Sequence, residues 1–112
     1  MSQNYTPVLS LPLKLTAAVA EYTFVDLTGA PATAAAYASG LADQAGAIGD
    51  VIKTQVLGTA RMKAGAAIAK GALIEVGAGG KGVTKAAGIS VARAMEDAAG
   101  VDSVIEVFLL PN

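Results

Sequence analysis

GAAIAKGALIEVGAGGKGV, residues 65–83, is the stretch whose reading decides the fold. A glycine-bounded approach from Gly65 to Gly71 leads into Ala72, Leu73, Ile74, Glu75 and Val76. Glycines at 77, 79, 80 and 82 follow, and Val83 and Thr84 resume the apolar and β-branched run. Side chains alternate at period two in a strand, so Leu73 and Glu75 are expected on one face and Ile74 on the other. The glycines supply positive φ at little cost, and the whole reads as strand, tight turn, strand. Gly77, Gly79 and Gly82 also match GxGxxG, but a dinucleotide loop must open a helix that receives the pyrophosphate. Here VTKAAGISV follows and Gly88 breaks it, which favours the hairpin.

Working outward from the hairpin, short strands recur between glycine turns. Leu13, Leu15 and Ala17 alternate with Lys14, Thr16 and Ala18 as a first strand, and residues 21–27 form a second, rich in aromatic and β-branched side chains. Residues 32–44 are ambiguous, because alanine favours helix while Gly40 interrupts it; a strand over residues 37–42 is expected. Residues 51–57 alternate cleanly, Gly58 allows a bend or bulge, and residues 59–64 continue. In residues 89–99 a helix would pair Arg93 with Asp97 at i and i+4, but the glycine-bounded run is short for one, so a strand to Met95 is preferred. Residues 101–110 are apolar on both sides, which calls for burial on both faces or cover from a neighbour. The expected fold is all-β, a small antiparallel β-barrel or β-sandwich, with an α+β domain as the alternative.

Two segments are expected: an extended N-terminal arm over residues 1–12 and a single β-rich domain over residues 13–112. Pro7 and Pro12 disfavour helix in the arm, which carries Tyr5, Val8, Leu9 and Leu11 between polar residues. The arm contributes no expected strand, so a chain starting at Leu13 is expected to fold.

Composition narrows the function. The hydrophobic share is 54%, but aromatic residues are only 4% and tryptophan is absent, so Leu, Ile and Val must build a thin core. A self-associating or docking surface is a natural remedy. Eight basic and nine acidic residues leave a net charge of −1, without the clustered cations that phosphate backbones require, so nucleic acid is not an expected partner. No apolar run is long enough for a bilayer, and no membrane partner is expected. The start lacks the order of a secretory signal.

Chemistry is equally bounded. With no Cys and no His there is no disulfide, thiolate, Cys/His metal site or histidine base, and neither a metal nor a cofactor is expected. Glu96 with Asp97, and Asp43 with Asp50, read as solvated turn residues rather than as an acid/base pair. Ser39, Ser90 and Ser103 have no histidine to activate them, and a Ser-Lys dyad is the remaining option. No catalytic residues are assigned, and the chain is not expected to be an enzyme.

The order of these motifs resembles the small capsid decoration or cement proteins of tailed bacteriophages. The likeness runs from Leu11 nearly to the end: LPLKLTAAVAEYTFVDLTG, a Gly-Asp turn, VIKTQVLGTARMKAGAAIAKGALIEVGAGGKGVTKAA, and GISVARAMEDAAGVDSVIEVFLLPN. The resemblance implies an all-β structural protein on the outer surface of the virion capsid, made in the host cytoplasm, that reinforces joints between capsid subunits. Its implied partners are the major capsid protein and further copies of itself, as a trimer or alternatively a dimer. The interface residues expected from the sequence are Tyr5, Val8, Leu9, Leu11, Phe108 and Leu110. Two other classes stay open: a β-domain binding module of another virion part such as the tail, and an enzyme dependent on carboxylates or lysine.

Overall fold

One strand of thirteen residues, Val51–Lys63, carries partners along its whole length. The computed structural model describes residues 7–112, the side chains of Pro7 and Val8 excepted. The strands in chain order are β1 (Pro7–Lys14), β2 (Phe24–Val25), β3 (Gly40–Ala42), β4 (Val51–Lys63), β5 (Leu73–Val76), β6 (Gly82–Thr84), β7 (Ala92–Ala94) and β8 (Val104–Leu109). β1 pairs with the first half of β4, from Lys14 opposite Val51 to Pro7 opposite Gly58, and β8 pairs with the second half, from Val104 opposite Lys63 to Phe108 opposite Thr59. Gly58 sits at the changeover with φ of 95°, a backbone state that a side chain would oppose, so the long strand bends there.

The sheet runs β2-β3-β4-β8-β7-β5-β6, with β1 on β4 and every strand pair antiparallel. A parallel bridge between Ala64 and Gly82 then brings β6 back to the end of β4 and nearly closes a barrel. The fold is all-β, as expected. The deciding hairpin forms as read: Ile74, Glu75 and Val76 face Thr84, Val83 and Gly82, with Ile74 and Val76 buried and Leu73 and Glu75 turned outward. The turn between them is a single 3-10 turn at Ala78–Gly80, and β6 follows instead of a helix, so no phosphate-binding helix start exists there.

The domain is one unit built twice. The first unit is β1, β2, β3 and residues 51–57; the second is residues 59–63, β5, β6, β7 and β8. In the first, Leu15 donates its N–H to the Asp50 carbonyl and Gly49 donates to Leu15; in the second, Ala64 donates to Ser103 and Asp102 donates to Ala64. Val19 and Gly46 exchange a pair of bonds, as Ile68 and Ala98 do. Tyr22 donates to Ala42 as Gly71 donates to Ala94, and Ser39 to Val25 as Val91 to Ile74. Strand registers agree as well: Leu13 opposite Ile52 corresponds to Met62 opposite Ile105, and Phe24 opposite Leu41 to Leu73 opposite Arg93. In each unit a strand turns a corner through a residue with positive φ. These residues are Tyr22 and Gly49 in the first unit, and Gly71 and Asp102 in the second.

The cores follow the duplication. Leu15, Val19, Val25, Ala42 and Ile52 pack together in the first unit, and their counterparts Ala64, Ile68, Ile74, Ala94 and Ile105 lie in the larger second cluster. That cluster also takes in Phe24, Ala38 and Leu41 from the opposite face of the first unit. β2 and β3 therefore have two buried faces, Phe24 and Leu41 toward one core and Val25 and Ala42 toward the other.

Several expected boundaries move. The first strand begins at Pro7 and ends at Lys14, so a division after residue 12 falls inside β1, and residues 7–12 belong to the sheet. Its prolines are tolerated because β1 has no strand partner other than β4 among the described residues, and an edge strand leaves unneeded donors facing outward. β2 covers only Phe24–Val25 of the expected 21–27, since Tyr22 takes the left-handed corner and Asp26 starts the next turn. β3 is confined to Gly40–Ala42, and residues 89–99 yield β7 at Ala92–Ala94 rather than a helix. β8 is buried on one face only: Ile105, Val107 and Leu109 are inside, while Val104 and Phe108 are about half exposed.

Candidate interaction surfaces

Several side chains that could do chemistry hold turns and strands together. Asp97 accepts from the Lys70 N–H at 2.7 Å and Glu96 from the Glu106 N–H at 2.9 Å, so these neighbouring acids serve different strands. Asp50 accepts from Ala47, and Asp43 stands 4.0 Å from the Lys53 ammonium. Arg93, which a helix would have paired with Asp97, donates to the Gly71 carbonyl. Ser39 donates to Val25, and Ser103 accepts from Gly100. No group of three Asp, Glu, His or Cys that could hold a metal gathers among the described residues.

Two acids at corresponding positions clamp the hairpin that closes each unit. Burial pushes the Asp26 carboxyl up, but bonds from the Thr28 hydroxyl and the N–H groups of Ala30, Thr28 and Gly29 outweigh it and hold the group below its ordinary 3.8. Glu75 is held below its ordinary 4.5 chiefly by the N–H groups of Ala86 and Gly88, at 2.7 and 2.9 Å. A carboxylate with a depressed folded value stabilises the fold above its unfolded value, and the contribution disappears as pH falls through the folded one. Stability is therefore expected to be flat above about pH 5 and to drop as pH falls below the ordinary values of 4.5 for Glu75 and 3.8 for Asp26 and through their lower folded values. Asp26→Asn with Glu75→Gln should flatten that drop in urea melts taken across pH.

What the surface offers instead is apolar side chains in register. Leu9 and Leu11 are 45% and 46% exposed, and Phe108 is 49% exposed. Leu9 stands opposite Leu57, itself 44% exposed, and two residues further along β4 Thr59 stands opposite Phe108. Leu9 and Phe108, expected interface residues from the two ends of the chain, thus pair with β4 on either side of Gly58. Leu110 lies beyond them on the rim of an open groove of about 320 Å³ that also takes in Leu27, Tyr37, Val56, Val91 and Leu109. The C-terminus closes one side of this groove, with the Asn112 side chain accepting from Ala38 at 2.9 Å. Tyr5 lies outside the described residues, and the Val8 side chain is not described either.

Sequence reasoning missed Leu27, Leu57, Ile48 and Val101. Leu27, Ile48 and Val101 are the most exposed large apolar residues among those described. The missed signal is the repeat: Ile48 and Val101 occupy the same corner in the two units, one residue before Gly49 and Asp102.

The fold is shared with a solved phage protein. The structure titled "head fiber gp8.5 N base in bacteriophage phi29" superposes with a TM-score of 0.73 over 91% of this chain and 93% of that one, at 16% identity. No curated protein matches the chain. The model of a family described as phage cement protein matches residues 2–109, nearly the whole length. This chain belongs to the phage cement protein family and is a structural component of the virion, associated with the capsid.

Proposed function

We propose that the protein sits on the outer surface of a bacteriophage capsid and cements joints between capsid subunits, binding the major capsid protein and further copies of itself, as a trimer in preference to a dimer. The observation that carries this reading is the family match over residues 2–109. The exposed row of Leu9, Leu57 and Phe108 supports it, since each such side chain buried against a neighbour stabilises attachment by roughly 1.5–3 kcal/mol. Tyr5, Val8, Leu9 and Leu11 reach a neighbouring subunit or the shell, and Phe108 and Leu110 face another copy. The protein works by occupancy and not by turnover, a reading supported by Asp26, Asp50, Glu75, Asp97 and Ser103 holding turns and loops. A similar fold in the base of a head fiber favours the head over the tail as the place of attachment.

A cement that binds only the assembled shell stabilises that shell by linkage. Particles lacking the protein are expected to release their genome at a lower temperature than complete particles, and adding the purified protein back should restore the difference. Coincident release profiles with and without the protein would remove the cementing role.

A further inference from the structure

We infer that the corner turns at the two ends of β4 make the contact with the shell, Ile48 and Val101 entering the same apolar seat on two neighbouring copies of the major capsid protein. This rests on the capsid contact proposed above and names the side chains that make it. The two turns, AIGD at residues 47–50 and GVDS at residues 100–103, share no residue at corresponding positions, yet they are built alike. In each, the last residue donates its N–H to the carbonyl of the first, Asp50 to Ala47 at 3.1 Å and Ser103 to Gly100 at 3.2 Å. In each, the N–H of the first donates in return to the side chain of the last, Ala47 to the Asp50 carboxylate at 2.9 Å and Gly100 to the Ser103 hydroxyl at 3.2 Å. The third residue has positive φ, 89° at Gly49 and 69° at Asp102, and its N–H donates to the residue just past β1 or β4, Leu15 or Ala64.

What these bonds hold in place is the second residue of each turn. Ile48 is 73% exposed and Val101 64%. Both are β-branched and stiff at χ1, so little rotamer freedom is left to lose on docking. One exposed apolar side chain on a turn is ordinary. The same tip kept in both units, on turns that differ at every position, is a repeated ligand, and it fits a partner that repeats its receptor. A shell built from many copies of one subunit does so, and this chain is associated with a capsid. Asp50 directly precedes β4, and Ala64, which holds the second turn, directly follows it, so the tips stand at opposite ends of that thirteen-residue strand. A tip at each end reaches across a joint. Once one tip is seated, the other binds at high effective concentration, which raises affinity by roughly 10²–10⁴-fold over a single tip.

The test titrates the full chain onto shells stripped of it and onto the unassembled major capsid protein. Ile48→Asp and Val101→Asp should each weaken shell binding by about a hundredfold or more, to one common residual affinity. That residual should match the affinity of the wild-type chain for the unassembled subunit, which offers a single seat. Ile48→Val and Val101→Ile, which exchange the tips, should decorate like the wild type. Both positions are exposed, so melting temperatures should stay at the wild-type value and separate lost contact from lost folding. Leu27→Asp alters an equally exposed side chain away from these turns and should leave decoration unchanged. Full-strength decoration by both tip variants, a loss confined to one of them, or an equal loss from Leu27→Asp would overturn the inference while leaving the capsid contact standing. A wild-type chain that binds no shell would overturn the capsid reading itself, and this inference with it.

Discussion

Deleting residues 1–12 is expected to cost the chain its cooperative thermal transition. The deletion removes most of β1, and with it the partner of the first half of β4. Two polar side chains inside the sheet then lose their partners. Gln55, 2% exposed, accepts from the Ser10 hydroxyl at 2.7 Å, and Thr54, 3% exposed, donates to the Leu11 carbonyl at 2.9 Å. Each buried group left unpaired costs about 1–3 kcal/mol. The ladder bonds to β1 are lost as well, and the total approaches the 5–15 kcal/mol by which domains of this size are stable. Hydrogen exchange should locate the damage: amides of residues 51–57 lose protection first, and those of β5, β7 and β8 last. An unchanged melting temperature for the deletion would show that β1 is an appendage and would undo the duplicated architecture as a description of stability.

The contrast with the sequence-based expectation is instructive. Residues 51–57 and 73–76 were legible because their side chains alternate in polarity at period two, whereas 104–109 read as apolar on both sides, and only the structure shows which of its faces is buried. β1 was not legible, because Pro7 and Pro12 argue against a regular element. They are compatible with a strand paired on one side only, and that is a tertiary fact. The duplication lay in plain view: KLTAAVAEYTFVDL at 14–27 matches KAGAAIAKGALIEV at 63–76, with Val19 against Ile68, Phe24 against Leu73 and Asp26 against Glu75. Local reading passes over it, because only Lys14, Ala17, Ala18 and Ala20 are identical to their counterparts and the closing turn is longer in the second unit. Phe108 and Leu11 could be named as exposed apolar residues from pattern alone. That Phe24 is buried while its counterpart Leu73 is only half covered could not, since both sit in the same local pattern and differ only in what packs on them.

Gly29→Ala is expected to destabilise the chain by about 3 kcal/mol or more, lowering the melting temperature by roughly 10–20 °C. Two effects act at this position, and other glycines separate them. Gly29 has φ of 89°, which alanine opposes by about 1 kcal/mol. Gly49 and Gly71 share that backbone state, at 89° and 87°, but a side chain there would meet nothing within 4 Å. Gly49→Ala and Gly71→Ala should therefore cost only the strain, and Tyr22 and Asp102 already tolerate the same kind of corner with full side chains. At Gly29 a Cβ would fall on the carbonyl oxygen of Lys14. That carbonyl cannot withdraw cheaply, because the Thr16 N–H donates to the Gly29 carbonyl at 3.0 Å and holds the closing hairpin against the end of β1. Gly82 occupies the same position in the second unit, where the Gly65 N–H donates to its carbonyl at 2.8 Å. There a Cβ would fall on the thioether of Met62, a side chain that can change rotamer within the core, so Gly82→Ala should cost less than Gly29→Ala. The expected order of melting temperatures is wild type, then Gly49→Ala with Gly71→Ala, then Gly82→Ala, then Gly29→Ala. If Gly29→Ala melted together with Gly49→Ala, backbone strain alone would account for the conserved geometry of the two closing hairpins, and their close approach to β1 and β4 would carry no energetic weight.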